Sequence, residues 1–226
     1  MTVEEIITLL KSQENPKNVK GMARFGINSK NTLGISVPYL RKLAKEIGQT
    51  CLPAGRNHTL AQELWDSGFH EARLLAGFID NHKEVTQKQM DAWVSDFDSW
   101  DVCDQVCSNL FNKTAFAFGK AHIWVKDERE FVRRAGFAMM AVLAVHDKKT
   151  SDEKFLEFFP SIKKYSTDER NFVKKAVNWA LRQIGKRNNN LLKHAQALAK
   201  EIREIPSPAS RWIAGDALRE FSKRAT

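Results

Sequence analysis

The amino-acid sequence predicts an all-α protein, and three observations support this. Glycine and proline, which most often interrupt secondary structure, together account for 17 of 226 residues, against a usual share of roughly 12%. Apolar residues recur at helical spacing along most of the chain. No segment alternates apolar and polar residues convincingly enough to compete as a strand. Because no linker or low-complexity segment divides the chain, we expect one domain over 1–226.

The expected helices are joined by short turns. Thr2 and Glu5 fit a T-x-x-E capping box, so a helix begins near the start of the chain. Residues 13–36 are polar and loop-rich, and Pro38 fits the first turn of a helix that stops near Gly48. The other expected helices are a short one at 22–25 and longer ones at 59–67, 70–82, 86–96, 100–111, 113–125, 129–146, 151–164, 168–185, 189–203 and 208–223.

Several of these helices resemble one another. Segments 75–78 and 134–137 share Ala-Gly-Phe, and segment 211–218 echoes 174–181 at a spacing of 37 residues. Periods of about 40–47 residues are typical of HEAT-type helical hairpins, which bury their apolar faces on one another. A helical bundle would show similar apolar spacing, so the repeat pattern leaves both architectures open. A solenoid would present a concave face suited to a long ligand.

The net charge of +9 is unevenly distributed. Residues 163–226 contain 15 Lys and Arg against 6 Asp and Glu, whereas residues 1–162 contain 21 of each. A solvated helical surface is one explanation, but an excess concentrated in one region favours a polyanion partner. The opposite extreme lies between Lys88 and Lys113, a stretch with five aspartates and no basic residue. Phosphate binding alone does not explain that acidic cluster.

Several function classes are excluded or disfavoured. The longest apolar run, 135–145, is too short to span a bilayer, and the acidic N-terminus shows no signal peptide. Three cysteines, Cys51, Cys103 and Cys107, suggest no disulfide framework, so a cytoplasmic location is expected. No nucleotide-binding glycine motif, zinc motif or nucleophile elbow is present. We therefore expect no cofactor and no metal.

Two aromatic and charged patterns are candidates for a functional site. Trp100 and Asp104 stand four residues apart and would share one helical face. Lys175, Trp179 and Arg182 follow i, i+4, i+7 spacing, and aromatic residues interleaved with basic ones suit stacking plus phosphate contact. Each pattern also has a structural explanation: a tryptophan at the core edge beside a solvated acid, or a solvent face around one packed tryptophan.

A third candidate lies at the start of the most apolar helix. Residues 135–145 are apolar nearly all round, which predicts a buried inner helix. Arg133 and Arg134 precede this run, where at least one of them can reach an open face.

Together these residues resemble the bacterial AlkD-type DNA alkylation repair glycosylases. That family is an all-α superhelical solenoid of HEAT-like repeats with a concave basic cleft, and it removes N3- and N7-alkylated purines from DNA. The resemblance runs in order across nearly the whole chain. The segments that carry it are MARF at 22–25, LGI at 33–35, Pro38 with Leu40 and Arg41, SWDVCD at 99–104, RRA at 133–135, and 176–182 from Ala176 through Trp179 to Arg182.

The resemblance implies roles for individual residues. Trp100 and Trp179 match two indoles that pack against the deoxyribose at the lesion. Asp104 matches the catalytic carboxylate beside the anomeric carbon. Arg134 matches a residue that grips backbone phosphate, and Arg182 falls on another basic position of the cleft.

Four further residues complete the expected DNA-binding set. Arg133, Lys175 and Arg211 are expected to add basic contacts. Phe25 stands where the family has a tyrosine, so this chain keeps a flat aromatic but lacks the hydroxyl that could contact water or phosphate there.

These residue types suit base excision. An N3- or N7-alkylated purine is cationic and leaves readily, and a fixed carboxylate at Asp104 can stabilise the positive charge that develops on the sugar. We therefore predict a monofunctional glycosylase that acts as a monomer on double-stranded DNA containing alkylated purines. Two alternatives stay open: a DNA-binding repeat protein without chemistry, and a protein-interaction scaffold.

Overall fold

A computed structural model describes residues 1–49 and 56–223, so Cys51 lies outside the described residues. Within those ranges the chain is all-α, as predicted, and forms no strand. The helices in chain order are α1 Val3–Ser12, α2 Pro16–Arg24, α3 Val37–Gln49, α4 Arg56–Asp66, α5 His70–Ile79, α6 Gln87–Ser95, α7 Trp100–Asn109, α8 Ala117–Trp124, α9 Glu130–His146, α10 Asp152–Leu156, α11 Phe159–Lys164, α12 Asn171–Gly185, α13 Asn189–Arg203 and α14 Pro208–Ser222.

Local signals account for most helix boundaries. The capping box at Thr2 and Glu5 is present at the start of α1. The expected loop over 13–36 is wrong in its first half, because Asn15 caps α2 by accepting from the backbone N–H of Asn18 at 3.1 Å. The single helix expected over 151–164 is also wrong, since it divides into α10 and α11. Pro160 lies in the first turn of α11, where its missing N–H is tolerated.

The chain divides into two compact units, Met1–Thr114 and Ala115–Thr226. In the first unit, the core is built around the indoles of Trp65 and Trp93, which stack with their centroids 4.1 Å apart. Cys103 and Cys107 are buried with free thiols on α7, as expected for small core residues.

In the second unit, α9 packs against α8 and α12. Every residue from 134 to 144 is buried, which confirms the inner helix predicted from its apolar run. Gly136 allows the close approach of α8 and α9, because a Cβ there would come within 2.6 Å of the Val125 nitrogen. No described helix combines the length and the apolar character that crossing a bilayer requires.

Candidate functional site

In the first unit, the end of α2 is tied to the start of α7. The indole Nε1 of Trp100 donates to the backbone oxygen of Phe25 at 3.0 Å. Three residues further on, the backbone N–H of Asn28 donates to Ser99 Oγ at 2.8 Å, and the Asn28 amide donates to Asp98 Oδ2 at 2.6 Å. Two sequence-predicted site residues, Phe25 and Trp100, are therefore held side by side.

Asp104 lies one helical turn after Trp100. Both lie on one face of α7, as their spacing predicts, and both side chains are half-buried. The helix is anchored by its apolar residues Val102, Cys103, Val106 and Cys107, which are buried. Because this carboxylate is partly exposed and its helix is packed in place, it can contact a bound ligand without a conformational change.

The neighbouring carboxylate, Asp101, is held by a histidine. His70 Nε2 lies 2.9 Å from Asp101 Oδ2, while Asp101 Oδ1 is buried without a hydrogen-bond partner among the described residues. Burial lowers the pKa of His70, but the hydrogen bond and charge of Asp101, with the charges of Glu71 and Asp98, outweigh burial and raise that pKa above its ordinary value. Asp101 is thus held in place by its contact with the buried imidazole of His70.

A buried carboxylate also shapes the loop before α3. Glu71 is fully buried and accepts from the backbone N–H groups of Leu33, Gly34 and Ile35 at 2.9, 2.7 and 3.2 Å. Gly34 has a φ of +79°, and a Cβ there would meet the Asn15 oxygen at 2.4 Å. The loop therefore has a fixed course.

A groove of about 830 Å³ lies along α2 and reaches the first turns of α7. We call it the α2–α7 groove. The fixed loop contributes Gly34 and Ile35 to its wall, and α7 contributes Trp100, Asp101 and Gln105. Arg41 on α3 fixes Gln105 by donating to its Oε1 at 3.0 Å.

In the second unit, Arg133 is held by structural partners. Its Nε donates to the Val125 oxygen at 3.1 Å, and its Nη1 donates to Asp168 Oδ2 at 2.7 Å. The guanidinium also lies over the Tyr165 ring, 4.5 Å from the centroid. Arg133 is thus built into the packing of the unit.

Arg134 is buried, with 6% of its surface exposed. Its Nη1 donates to the backbone oxygen of Phe172, in the first turn of α12, at 2.6 Å. A guanidinium keeps its proton in proteins, so a buried one requires acceptors. This contact fixes α9 against α12 and favours a positioning role for Arg134.

Helices α12 and α14 pair in register, through side chains that are 34 or 38 residues apart in the chain. Asn178 Nδ2 donates to Asp216 Oδ2 at 2.7 Å. Arg182 donates to Asp216 Oδ2 at 3.0 Å and also contacts Glu220, whose other oxygen lies 2.9 Å from Lys186 Nζ. Two carboxylates therefore offset the charge of Arg182, which was predicted to contact DNA.

At the other end of the same pair of helices, two cations, Lys175 and Arg211, are exposed. Lys174 Nζ lies 5.4 Å from the centroid of the Trp212 ring, which is 40% exposed. Lys175 and Arg211 are exposed beside them, and no ion pair engages either side chain within the described ranges. Trp179 is half-buried one turn after Lys175, and Gln183 can accept from its Nε1 at 3.2 Å.

Sequence inspection missed three features of this arrangement. The cations of α2, Lys17, Lys20 and Arg24, follow helical spacing, but the expected loop over 13–36 obscured it. Trp212 could have been found from the sequence, because it is an aromatic residue directly after the basic Arg211. The pair of His70 and Asp101 had none, because 31 residues separate its members. In the described parts of the chain, no group of three His, Cys, Asp or Glu side chains is placed to hold a metal ion.

Comparison with known proteins identifies the family and the fold. A family model described as DNA alkylation repair enzyme matches residues 6–221. A solved structure has a TM-score of 0.77 and 20% identity, covering 97% of this chain and 95% of the other. That structure represents a new family of proteins related to the HEAT-like repeat DNA glycosylases with affinity for branched DNA structures. The likeness confirms the predicted all-α fold of HEAT-like repeats.

One curated relative is an uncharacterized protein of Listeria innocua. It is 24% identical over 139 residues, which are 61% of this chain and 60% of the relative. The chain therefore matches about three fifths of that protein's length.

Proposed function

The chain belongs to the DNA alkylation repair enzyme family, and from that premise we propose that it is a monofunctional DNA glycosylase. Its substrates would be double-stranded DNA carrying N3- or N7-alkylated purines, and it would hydrolyse the bond between the cationic base and deoxyribose. The observation that carries the proposal is the half-buried carboxylate of Asp104, one helical turn from the indole of Trp100.

The chemistry requires little beyond such a carboxylate. An alkylated purine already carries positive charge, so it departs without a strong general acid. As the glycosidic bond breaks, positive charge develops on the sugar, and Asp104 would stabilise that charge and orient the attacking water. The indole of Trp100 would add a cation–π attraction of ~0.5–2 kcal/mol. The base departs as a neutral molecule with the electron pair of the glycosidic bond, water adds to the sugar carbon and releases one proton to solvent, and an abasic site is left.

The contacts to DNA divide by exposure. We assign phosphate contacts to Lys175 and Arg211, which are exposed, and a sugar-packing role to Trp179 as the family resemblance implies. Arg134, buried against the Phe172 oxygen, supports the fold around such contacts. Arg133 and Arg182, which are engaged by Asp168 and by Asp216, are assigned the same supporting role.

Release of 7-methylguanine from a methylated duplex tests the proposal. The wild-type protein should release base, and Asp104→Asn should lower the single-turnover rate by about a hundredfold or more, because removing one electrostatic stabiliser of a transition state typically costs that much. Affinity for the duplex should be kept or raised, since a negative charge near phosphate is removed.

Asp66→Asn is the matched control, because Asp66 is an exposed aspartate at the end of α4 in the same unit. Its rate should equal that of wild type. No release of 7-methylguanine or 3-methyladenine by wild-type protein would refute the glycosylase proposal.

A second candidate is DNA binding without base excision. It is favoured by the solved relative whose family has affinity for branched DNA structures, and by Phe25, which lacks the hydroxyl expected at its position. A salt-dependent affinity for a three-way junction, with no base released from methylated DNA, would support this candidate instead.

A further inference from the structure

The α2–α7 groove has the size of a site for one small ligand. Its volume of about 830 Å³ lies within the range of ~300–1,000 Å³ that is usual for such sites. The lining is mostly apolar and includes Met22, Phe25, Ile27, Ile35 and Trp100. The groove therefore suits a flat, partly apolar group.

Phe25 offers such a group an open aromatic face. Its side chain is 73% exposed, and no ring or cation in the described part of the chain is placed against it. The residue is nevertheless fixed in place, because Trp100 donates to its backbone oxygen and Gly26 turns the chain behind it with a φ of 76°. An exposed ring on a fixed backbone, with no other ring stacked on it, is a platform for a nucleobase.

The helix that ends at Phe25 supplies positive charge. Lys17, Lys20 and Arg24 lie on one face of α2 at i, i+3 and i+7, and all three are exposed and line the groove. Helix α2 contains no acidic residue. The nearest carboxylate in the lining is Asp101, which is paired with His70 at 2.9 Å. The rim is therefore complementary to phosphate.

Gly21 keeps space open between these cations. A Cβ at Gly21 would meet no atom within 4 Å, so packing does not require glycine there, although glycine in a helix costs about 1 kcal/mol relative to alanine. Gly48 and Gly119 also have this room, so the glycine does not define a site by itself. In the groove it leaves free the volume that a ligand would fill.

From these features we propose that the α2–α7 groove binds one unpaired nucleotide of a DNA strand. Its base stacks on Phe25, and the flanking phosphates contact Lys20 and Arg24. A paired base has both faces covered by its neighbours, so only a base outside the duplex stack can lie on the ring. The proposal rests on the proposed action on DNA, but it does not depend on base excision.

The test compares two DNA probes that differ by one nucleotide. Wild-type protein should bind a duplex with a single-nucleotide bulge at least about fivefold more tightly than the same duplex fully paired, because one base stacked on an aromatic side chain is worth at least that factor. Phe25→Leu keeps an apolar side chain but removes the ring, and it should abolish the preference, measured as the ratio of the two affinities.

Gly21→Leu provides a second route to the same result. It fills the groove from a position where packing has room, and it should also abolish the preference. Gly119→Leu is the matched control, since Gly119 lies in the interior of α8, is exposed and has equal room. Its preference should equal that of wild type.

Two results would overturn the proposal. One is equal affinity of wild-type protein for the two probes. The other is a loss of affinity for both probes alike in Phe25→Leu and Gly21→Leu, with unfolding midpoints unchanged, which would make the groove a contact for paired duplex. Neither result depends on whether methylated DNA loses a base. The failure of this proposal can therefore be distinguished from the failure of the glycosylase proposal.

Discussion

The two units carry charge in opposite ways. Residues 1–114 contain 13 Lys and Arg against 14 Asp and Glu, yet the cations along α2 are exposed beside an open groove. Residues 115–226 contain 23 Lys and Arg against 13 Asp and Glu, yet carboxylates or backbone carbonyls hold Arg133, Arg134 and Arg182. Net charge therefore does not locate a phosphate-binding surface. Such a surface is located by asking, for each cation, whether a carboxylate or carbonyl already engages it.

Each unit also buries a charged side chain against backbone. In the first unit the charge is the carboxylate of Glu71, which accepts from three N–H groups. In the second it is the guanidinium of Arg134, which donates to a carbonyl. Both contacts fix the elements that carry candidate site residues. The following predictions test whether buried charges hold the fold while exposed charges bind DNA.

The largest expected effect is on stability, from Glu71→Gln. The amide has one acceptor oxygen in place of two and presents N–H groups to the backbone donors of Leu33, Gly34 and Ile35. We expect a loss of about 3 kcal/mol in the free energy of unfolding, because buried donors are left without partners. Urea denaturation measures it.

Glu46→Gln is the control for that experiment. Glu46 forms an exposed pair with Lys42 at 3.9 Å, so its loss should change the free energy of unfolding by less than about 0.5 kcal/mol. Similar losses in the two variants would contradict the structural role of Glu71.

The next effect separates two kinds of cation on α12. Arg182→Gln leaves Asp216 and Glu220 without their shared partner, and the side chain is about one third exposed. We expect a loss of about 1 kcal/mol in the free energy of unfolding and little change in DNA affinity. A large loss of DNA affinity at unchanged stability would show that Arg182 exchanges its carboxylates for phosphate.

Lys175→Gln should do the reverse. The side chain is exposed on the same helix, so unfolding should change little while DNA affinity falls a few-fold. The slope of log affinity against log salt should become shallower by about 0.9, the contribution of one phosphate contact. Arg211→Gln should behave in the same way. An unchanged salt slope in both variants would remove this end of α12 and α14 from the DNA surface.

A feature could be predicted from sequence when the residues that determine it are close together along the chain, and not when they are far apart. The buried helix α9 was predictable because its apolar run leaves no solvent face, and the shared face of Trp100 and Asp104 followed from helical geometry. The partners of Arg133 and Arg182 were not predictable, since a cation's spacing does not identify the carboxylate opposite it. The contact of Glu71 with the loop at 33–35 is likewise set by tertiary packing, across 36 to 38 residues.

The smallest effects are two histidine titrations of opposite sign, one in each unit. His70 has a raised pKa, because Asp101, Glu71 and Asp98 outweigh burial. His122 has a lowered pKa, because burial dominates and Lys126 and Lys154 add to it, while Glu157 opposes them. Observing the imidazole protons by NMR across pH 5 to 9 should place His70 above the usual value of about 6.5 and His122 below it.

The sign of each effect on stability follows by linkage. A raised pKa in the folded state means that protonated His70 contributes stability below pH ~6.5, and that this contribution is lost as the pH rises through the raised pKa. For His122 the folded protein resists protonation, so stability is lost as the pH falls below the ordinary histidine range. His70→Gln should therefore flatten the decline on the alkaline side, and His122→Gln the decline on the acidic side. If His70→Gln left the alkaline decline intact, protonation of His70 would not stabilise the fold, and its contact with Asp101 would be a hydrogen bond to a neutral imidazole.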